Sequence, residues 1–338
     1  MHLRQSALAT LLVTLACSGG GESPNAPDDG AAGLCPQPAA GVILGGLLGG
    51  GTDIRATASR RVILMGGGAE NDMASKLFVE SAGGGDVLIL RATGSLTSYP
   101  TYFTATLEPR PGPASVITVL TSTPGAAGDP AVSCRVDRAE AVWLAGGDQW
   151  DYLGRWPATL HARLAALAER GVAVGGTSAG AMSLGEAAFS AEFGGVTSSD
   201  ALADPLAPSV SLRYPGFAQP ELAGALVDTH FSGRAREGRL LAFLARFIAD
   251  RGHPEVLGIG IDERTALIIE DGSYRVYGDG AVWLYRVRGP VGLAPGTPLD
   301  LDGVDVARRL DGDSGEWPVD LDGLETESPR VEAGVVMR

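Results

Sequence analysis

Unbroken apolar runs that alternate with helical segments constrain this chain more than any other feature. The runs occupy residues 61–65, 86–90, 115–120, 141–144 and 172–174. Their residues do not alternate between apolar and polar, as those of a strand with one wet face would. Amphipathic segments typical of helices lie between them, for example at 71–81 and 160–170. The pattern predicts an α/β fold in which a mostly parallel sheet carries helices on both faces.

The run at 172–174 leads into a turn of small residues, Gly176-Thr177-Ser178-Ala179-Gly180. This sequence fits G-x-S-x-G, in which the two glycines keep Cβ atoms out of a tight corner that exposes the serine. The helix predicted from Ala179 onward would aim its first free N–H groups at the same point, where an oxyanion could develop. We therefore predict that Ser178 is a nucleophile on a strand-turn-helix elbow. The alternative is an ordinary Gly/Ser-rich loop.

A serine nucleophile needs a base, and His230 is the candidate among the four histidines of the chain. It comes directly after the apolar run 223–227, so we expect it at the carboxyl end of a strand, where open α/β sheets build their sites. The other three histidines lie at the extreme N-terminus, in an amphipathic helix and in a turn. His230 is thus predicted to take the serine proton.

The acid that orients the imidazole is less well determined by the residues alone. The run 257–261 ends in Asp262-Glu263, which places Glu263 at the same edge of the sheet. Asp262 and Asp228 are rivals in equally suitable places. We expect the serine, the histidine and the acid to meet at one rim of a single sheet.

Four motifs together resemble the cyanophycinases, which belong with the peptidase E-like serine peptidases. They are Gly146-Gly147-Asp148-Gln149, Gly175-Gly176-Thr177-Ser178-Ala179-Gly180-Ala181, Asp228-x-His230-Phe231-x-x-Arg234-x-Arg236-x-Gly238-Arg239-Leu240 and Gly258-Ile259-Gly260-Ile261-Asp262-Glu263. They occur in the family's order and span roughly residues 61–287. The fold that the resemblance implies is flavodoxin-like, of the class I glutamine amidotransferase type.

The resemblance also implies the catalytic residues. It assigns the triad to Ser178, His230 and Glu263, which favours Glu263 over its rivals. The backbone N–H groups of Gly147 and Ala179 would form the oxyanion hole.

Substrate contacts are implied in the same way. Gln149 and Arg234 would hold the substrate, with Asp148 and Thr177 as further contacts, although Asp148 could equally cap a helix. The cyanophycinases cut the polyaspartate backbone of cyanophycin, which bears arginine on each side-chain carboxyl, and release β-aspartyl-arginine dipeptides. A β-aspartyl dipeptidase of peptidase E type and a non-catalytic binding protein are the alternatives. No metal or cofactor is expected, and the family analogy predicts a homodimer.

The N-terminus predicts export. Residues 1–17 have the charge and apolar stretch of a signal peptide, and their end resembles a lipobox with Cys17 as the lipidated residue. Plain secretion is the alternative. Residues 18–40 are predicted to be a flexible tether. In an oxidising compartment Cys35 and Cys134 could form a disulfide.

The composition changes near residue 290 and predicts a boundary between two parts of the chain there. Residues 41–290 are predicted to be the catalytic domain, and 291–338 a Pro/Gly/Asp-rich extension. Near the boundary, Gly278-Asp279-Gly280 between 274–277 and 281–287 predicts a hairpin on the sheet edge.

The net charge and an incomplete glycine motif argue against nucleic acid, anionic lipid surfaces and dinucleotides as partners. The formal net charge of -14 disfavours nucleic acid and anionic lipid surfaces, so any membrane contact is expected only through a lipid anchor. Gly66-Gly67-Gly68 suggests a dinucleotide loop, but the third glycine of that fingerprint is missing. Arg91 also stands where the ribose-binding acid is expected. A peptide-like substrate remains the expected partner.

Overall fold

The predicted apolar runs lie at the centre of a nine-stranded sheet in the computed structural model, which describes residues 35–45 and 56–338. The predicted signal peptide, Cys17 and most of the tether lie outside the described residues. The strands are β1 (Val42–Leu44), β2 (Val62–Met65), β3 (Asp86–Arg91), β4 (Ser115–Thr121), β5 (Ala141–Leu144), β6 (Ala173–Thr177), β7 (Ala188–Phe189), β8 (Leu212–Arg213), β9 (Ala225–Thr229), β10 (Glu255–Ile261), β11 (Thr265–Glu270), β12 (Ser273–Gly278), β13 (Val282–Arg288), β14 (Val304–Arg309), β15 (Ser314–Glu316), β16 (Arg330–Glu332) and β17 (Val335–Met337). The α-helices are α1 (Asp72–Glu80), α2 (Ser98–Thr101), α3 (Pro130–Arg138), α4 (Gln149–Leu153), α5 (Ala158–Ala165), α6 (Ala179–Met182), α7 (Ser198–Ala203) and α8 (Glu237–Arg251).

The large sheet has the order β1-β4-β3-β5-β6-β2-β11-β12-β15. Its five central strands, from β4 to β2, run parallel, and the outer strands pair antiparallel. Every residue of β2 is buried: Val62 and Leu64 join one apolar cluster, whereas Ile63 and Met65 join another on the opposite face. Helices cover both faces, which explains why these strands read as unbroken apolar runs. The predicted mostly parallel, flavodoxin-like α/β fold is confirmed.

A second sheet of four strands, in the order β14-β13-β10-β9, stands beside the first. Within it β9 and β10 are parallel, and α8 packs against β10. His230 follows β9 and Glu263 follows β10, whereas Ser178 follows β6 of the large sheet. The expectation that the three residues share the rim of a single sheet was therefore wrong. They lie at the junction of two sheets.

The hairpin predicted across residues 274–287 was also wrong, because β12 and β13 belong to different sheets. The true hairpin joins β11 and β12 through Asp271-Gly272, both of which have positive φ. An Asp-Gly pair between two apolar strands is the strongest local sign of a tight hairpin. The Gly278-Asp279-Gly280 segment instead carries the chain from one sheet to the other.

Residues beyond 290 contribute to both sheets. Strand β14 pairs with β13, and β15 pairs with β12 at the end of the large sheet. The indole N–H of Trp317 donates to the carbonyl of Glu221, 96 residues earlier. The segment predicted to be an extension thus packs as an integral part of the described fold.

At the other end of the described chain a disulfide joins Cys35 to Cys134 of α3. It ties the segment that leads into β1 to the body of the fold. Of the helices in the described ranges, none has the length and apolar character that crossing a membrane requires.

Candidate active site

Ser178 lies at a tight corner between β6 and α6, with φ 51° and ψ -119°. A non-glycine residue in this region is strained, and such strain concentrates at functional sites. The flanking glycines are required by contacts. A Cβ on Gly176 would lie 2.6 Å from the carbonyl carbon of Gly180, and a Cβ on Gly180 would lie 2.0 Å from the carbonyl oxygen of Leu144. The structure therefore has the elbow that the G-x-S-x-G spacing predicts.

The side chains of Ser178, His230 and Glu263 form a continuous hydrogen-bond relay. Ser178 Oγ is 2.8 Å from His230 Nε2, and His230 Nδ1 is 2.6 Å from Glu263 Oε1. The imidazole is buried, whereas the Glu263 carboxylate is partly exposed. This geometry is of the kind that can supply a nucleophile, a base and an orienting acid, in that order.

The two rival carboxylates are engaged elsewhere. Asp262 accepts hydrogen bonds from the backbone N–H groups of Ser232 and Ala281 and so braces the loop before Glu263. Asp228 is fully buried and binds the guanidinium of Arg239. Neither carboxylate is among the partners of the His230 ring.

A glycine loop at Gly66–Gly68 joins the three segments that carry the relay. The residue before it, Met65, accepts from the Ser178 N–H at 3.0 Å, and within it Gly66 accepts from the His230 N–H at 2.8 Å. A Cβ on Gly67 would lie 2.4 Å from the imidazole Cε1. The glycines thus let the backbone lie directly against the histidine ring. From the sequence this loop resembles only an incomplete dinucleotide fingerprint, because no local pattern shows what packs against it.

The surroundings of His230 lower its pKa below the usual value, with burial as the main cause and Arg234 and Arg236 as further causes. The Glu263 carboxylate opposes this shift. In turn, the hydrogen bond from His230 lowers the pKa of Glu263. Near neutral pH the arrangement therefore holds an uncharged imidazole, able to accept a proton, beside an ionised carboxylate.

The backbone N–H groups predicted to form an oxyanion hole are those of Gly147 and Ala179. A Cβ on Gly146 would lie 3.5 Å from the Cβ of Ser178, so the turn at Gly146-Gly147 borders the serine. Among the described residues, neither the Gly147 N–H nor the Ala179 N–H has a hydrogen-bond partner. Two free donors beside a strained serine are what stabilisation of a tetrahedral oxyanion requires.

The predicted substrate contacts have different surroundings. Arg234 is exposed one short turn after His230, and its backbone N–H donates to the His230 carbonyl. Gln149 is the first residue of α4, and Asp148 caps that helix by accepting from the Trp150 N–H at 2.9 Å. Thr177 is different, because its hydroxyl is buried without a hydrogen bond. A direct contact between this hydroxyl and substrate does not fit the structure, because the side chain points into the protein.

Within the described residues, no three His, Cys, Asp or Glu side chains are grouped so that they could hold a metal ion. The polar groups at the site are instead those of the relay, the free N–H donors and the neighbouring arginines.

Comparisons with known proteins agree with the motifs. No family model matches the chain. It is 35% identical over 150 residues to a cyanophycinase of Geminocystis herdmanii, covering 44% of this chain and 49% of that protein. It is 34% identical over 154 residues to a cyanophycinase of a Nostoc species, covering 45% and 46%. The chain thus matches about half the length of these curated relatives.

A solved structure shares the fold. It is a peptidase from an acI-B1 Actinobacterium, with a TM-score of 0.50 and 18% identity, and the match covers 78% of this chain and 99% of that one. At this identity the likeness concerns the fold. The sequence matches and the four motifs show that the chain is similar to the cyanophycinases, and the solved structure shows that it shares the fold of a peptidase.

Proposed function

We propose that this protein is an exported serine hydrolase that cleaves the aspartyl backbone of a cyanophycin-like polymer and releases β-aspartyl-arginine dipeptides. The observation that carries the proposal is the relay from Ser178 through His230 to Glu263, next to two unpaired backbone N–H groups. The relay supplies a nucleophile, a base and an orienting carboxylate, and the N–H groups supply a site for negative charge.

In the first half-reaction, Ser178 Oγ attacks the aspartyl carbonyl carbon while His230 Nε2 takes the serine proton. The carbonyl oxygen becomes an oxyanion that accepts hydrogen bonds from the N–H groups of Gly147 and Ala179. Glu263 stabilises the imidazolium through Nδ1. The carbon–nitrogen bond then breaks, and His230 returns the proton to the leaving nitrogen, which gives a free amine and a seryl ester.

In the second half-reaction, a water molecule takes the place of the leaving amine. His230 removes a proton from the water as it attacks the ester carbonyl, and the same N–H groups hold the second oxyanion. Collapse of this intermediate breaks the bond to Ser178 Oγ, which regains its proton from His230. The products are a carboxylic acid and the free enzyme.

The charges around the relay suit a substrate that carries both signs. Arg234 is exposed beside the relay and can pair with a substrate carboxylate. Arg236 already binds Asp228 and the carbonyl of Thr229, which leaves Arg234 as the more available of the two. The net charge of -14 favours approach of a polymer that presents guanidinium groups.

Export is part of the proposal. The disulfide between Cys35 and Cys134 is of the kind found in oxidising compartments, and it supports the leader that the N-terminus predicts. A lipid on Cys17 would hold the protein at a membrane through the tether. The homodimer stays a prediction.

The test is to incubate the full mature chain with cyanophycin and, separately, with β-aspartyl dipeptides, beside a Ser178→Ala variant. Release of β-aspartyl-arginine from the polymer by the wild type alone supports the proposal. Turnover of dipeptides without turnover of polymer would favour a β-aspartyl dipeptidase of peptidase E type. Equal behaviour of wild type and variant on both substrates would refute serine catalysis and leave a binding protein.

A further inference from the structure

Glu70 is a half-buried residue whose carboxyl the mechanism above does not use. It follows the glycine loop Gly66–Gly68 and precedes Asn71, which caps α1. Its Oε1 accepts a hydrogen bond from the hydroxyl of Tyr99 at 2.5 Å. Its Oε2 is shielded from solvent and has no hydrogen-bond partner among the described residues.

Glu70 has one polar neighbour on the nucleophile elbow, the hydroxyl of Thr177. The Thr177 hydroxyl lies near enough to the carboxyl to lower its pKa, yet Thr177 Oγ1 is also buried without a hydrogen bond of good geometry. Thr177 directly precedes Ser178 in the chain. The carboxyl is thus positioned between the aromatic residue Tyr99 and the backbone that carries the serine.

Tyr99 cannot easily move away from Glu70. The centre of its ring lies 5.3 Å from that of Phe103 and 6.2 Å from that of the buried Trp143 in β5. Because both partners belong to the apolar cluster on one face of the large sheet, the hydroxyl is held in place. The Glu70 carboxyl therefore has a fixed position relative to the elbow.

We propose that Glu70 is a positioning residue for Ser178: its carboxyl, bonded by the Tyr99 hydroxyl and next to Thr177, supports the backbone that carries the serine, and a negative charge on it suppresses reaction there. The inference rests on the proposed hydrolase function. The physical reason is that a carboxylate beside the elbow would repel the oxyanion that forms at Ser178.

The protonation of Glu70 changes in an accessible pH range. Burial raises its pKa to about 7, against the opposing effect of the Tyr99 hydrogen bond. In the described part of the chain, Tyr99 bonds the carboxyl, and Glu70 in turn acts on Tyr102, both on the segment after β3. Arg91 at the end of β3 lies over the Tyr99 ring, and Asp72 at the start of α1 bonds Tyr102. The pKa of both tyrosines is raised by burial, so neither hydroxyl ionises near neutral pH.

The experiment measures how fast a fluorophosphonate labels Ser178 between about pH 5 and pH 9, a range that spans the expected ionisations. This probe reports the reactivity of the serine without any assumption about the polymer. For the wild type we expect the rate to rise as His230 loses its proton and then to fall by about tenfold as Glu70 ionises. Glu70→Gln should keep the rise and lose the fall.

Two further variants make the test decisive. Tyr99→Phe removes the hydrogen bond that lowers the pKa of Glu70, so the fall should move to higher pH. Glu169→Gln, at an exposed glutamate before β6, should leave the profile unchanged. If Glu70→Gln fails to fold, the displacement in Tyr99→Phe alone decides.

The proposal is overturned if the labelling rate of the wild type does not fall at alkaline pH, or if the rate still falls in Glu70→Gln. It is also overturned if the rate of Tyr99→Phe falls at the same pH as that of the wild type. A merely structural role for Glu70 would lower the rate equally at all pH values. Failure of the probe to label Ser178 at any pH would refute the serine hydrolase itself, and this inference with it. Labelling with an unaltered profile would refute only the inference.

Discussion

A methyl group added at Gly67 should disable the site while leaving the fold in place. Gly67 has φ +89°, and its Cβ would lie 2.4 Å from Cε1 and 2.5 Å from Nε2 of the His230 ring. Nε2 is the atom that bonds Ser178. The Gly67→Ala change therefore acts on the base without altering any group that takes part in the chemistry.

The magnitude follows from two separate costs. Placing an L-residue in the left-handed region costs about 1–2 kcal/mol of stability. Carbon atoms in contact normally lie about 3.5–4.0 Å apart, so the imidazole has to move by about 1 Å or more. A displacement of about 1 Å at a reacting group can cost about 100-fold in rate. We expect Gly67→Ala to lower kcat/KM by that factor.

The matched control is Gly171→Ala, before β6. Gly171 also has positive φ, at +69°, but a Cβ there would meet nothing within 4 Å. Both variants should therefore lose a similar amount of stability, measured by urea unfolding, and only Gly67→Ala should lose turnover and fluorophosphonate labelling. If Gly67→Ala turned over substrate as fast as Gly171→Ala, the loop would not position the histidine as described.

Three other predictions concern the relay and its supports. Glu263→Gln should lower kcat/KM by about a thousandfold or more. Because Glu263 raises the pKa of His230, this variant should also move the acid limb of the pH–rate profile to lower pH. An acid limb at the wild-type position would contradict the relay. Asp228→Asn leaves the buried Arg239 without its counter-charge. The free energy of unfolding, measured in urea, should therefore fall by about 3 kcal/mol. A fall below about 1 kcal/mol would show that Asp228 does not stabilise the fold in this way. Cys134→Ser removes a disulfide that spans 99 residues. The free energy of unfolding should fall by about 2–4 kcal/mol. A thermal midpoint equal to that of the wild type in non-reducing buffer would show that the disulfide does not form.

The central strands and the nucleophile elbow were predictable because local residues determine them. Strand β2, with both faces buried, has to be apolar at every position, and the corner at Ser178 needs glycine on both sides. These signals are readable within a few residues of the element itself.

The meeting of the relay residues was only partly predictable. His230 is 52 residues from Ser178, and Glu263 is a further 33 residues on. Strand ends indicated that all three lie at a rim, but which sheet each strand joins depends on pairings between distant segments. The hairpin of β11 and β12, which sends the chain to the large sheet, was missed although Asp271-Gly272 signals it.

The supports of the site were not predictable from local pattern. The sequence shows that Gly67 has no side chain but not that His230 packs on it. In the same way, the hydroxyl that bonds Glu70 comes from Tyr99, 29 residues later. The resemblance to a family predicts the reacting groups, and only the fold shows what packs against them.

The central claim is that His230 activates Ser178, and peptide mapping after fluorophosphonate treatment tests it most directly. The account predicts one adduct, on Ser178, in the native protein, with none after unfolding and a greatly slowed reaction in His230→Ala. An adduct elsewhere, or labelling of Ser178 at the same rate in His230→Ala, would contradict it.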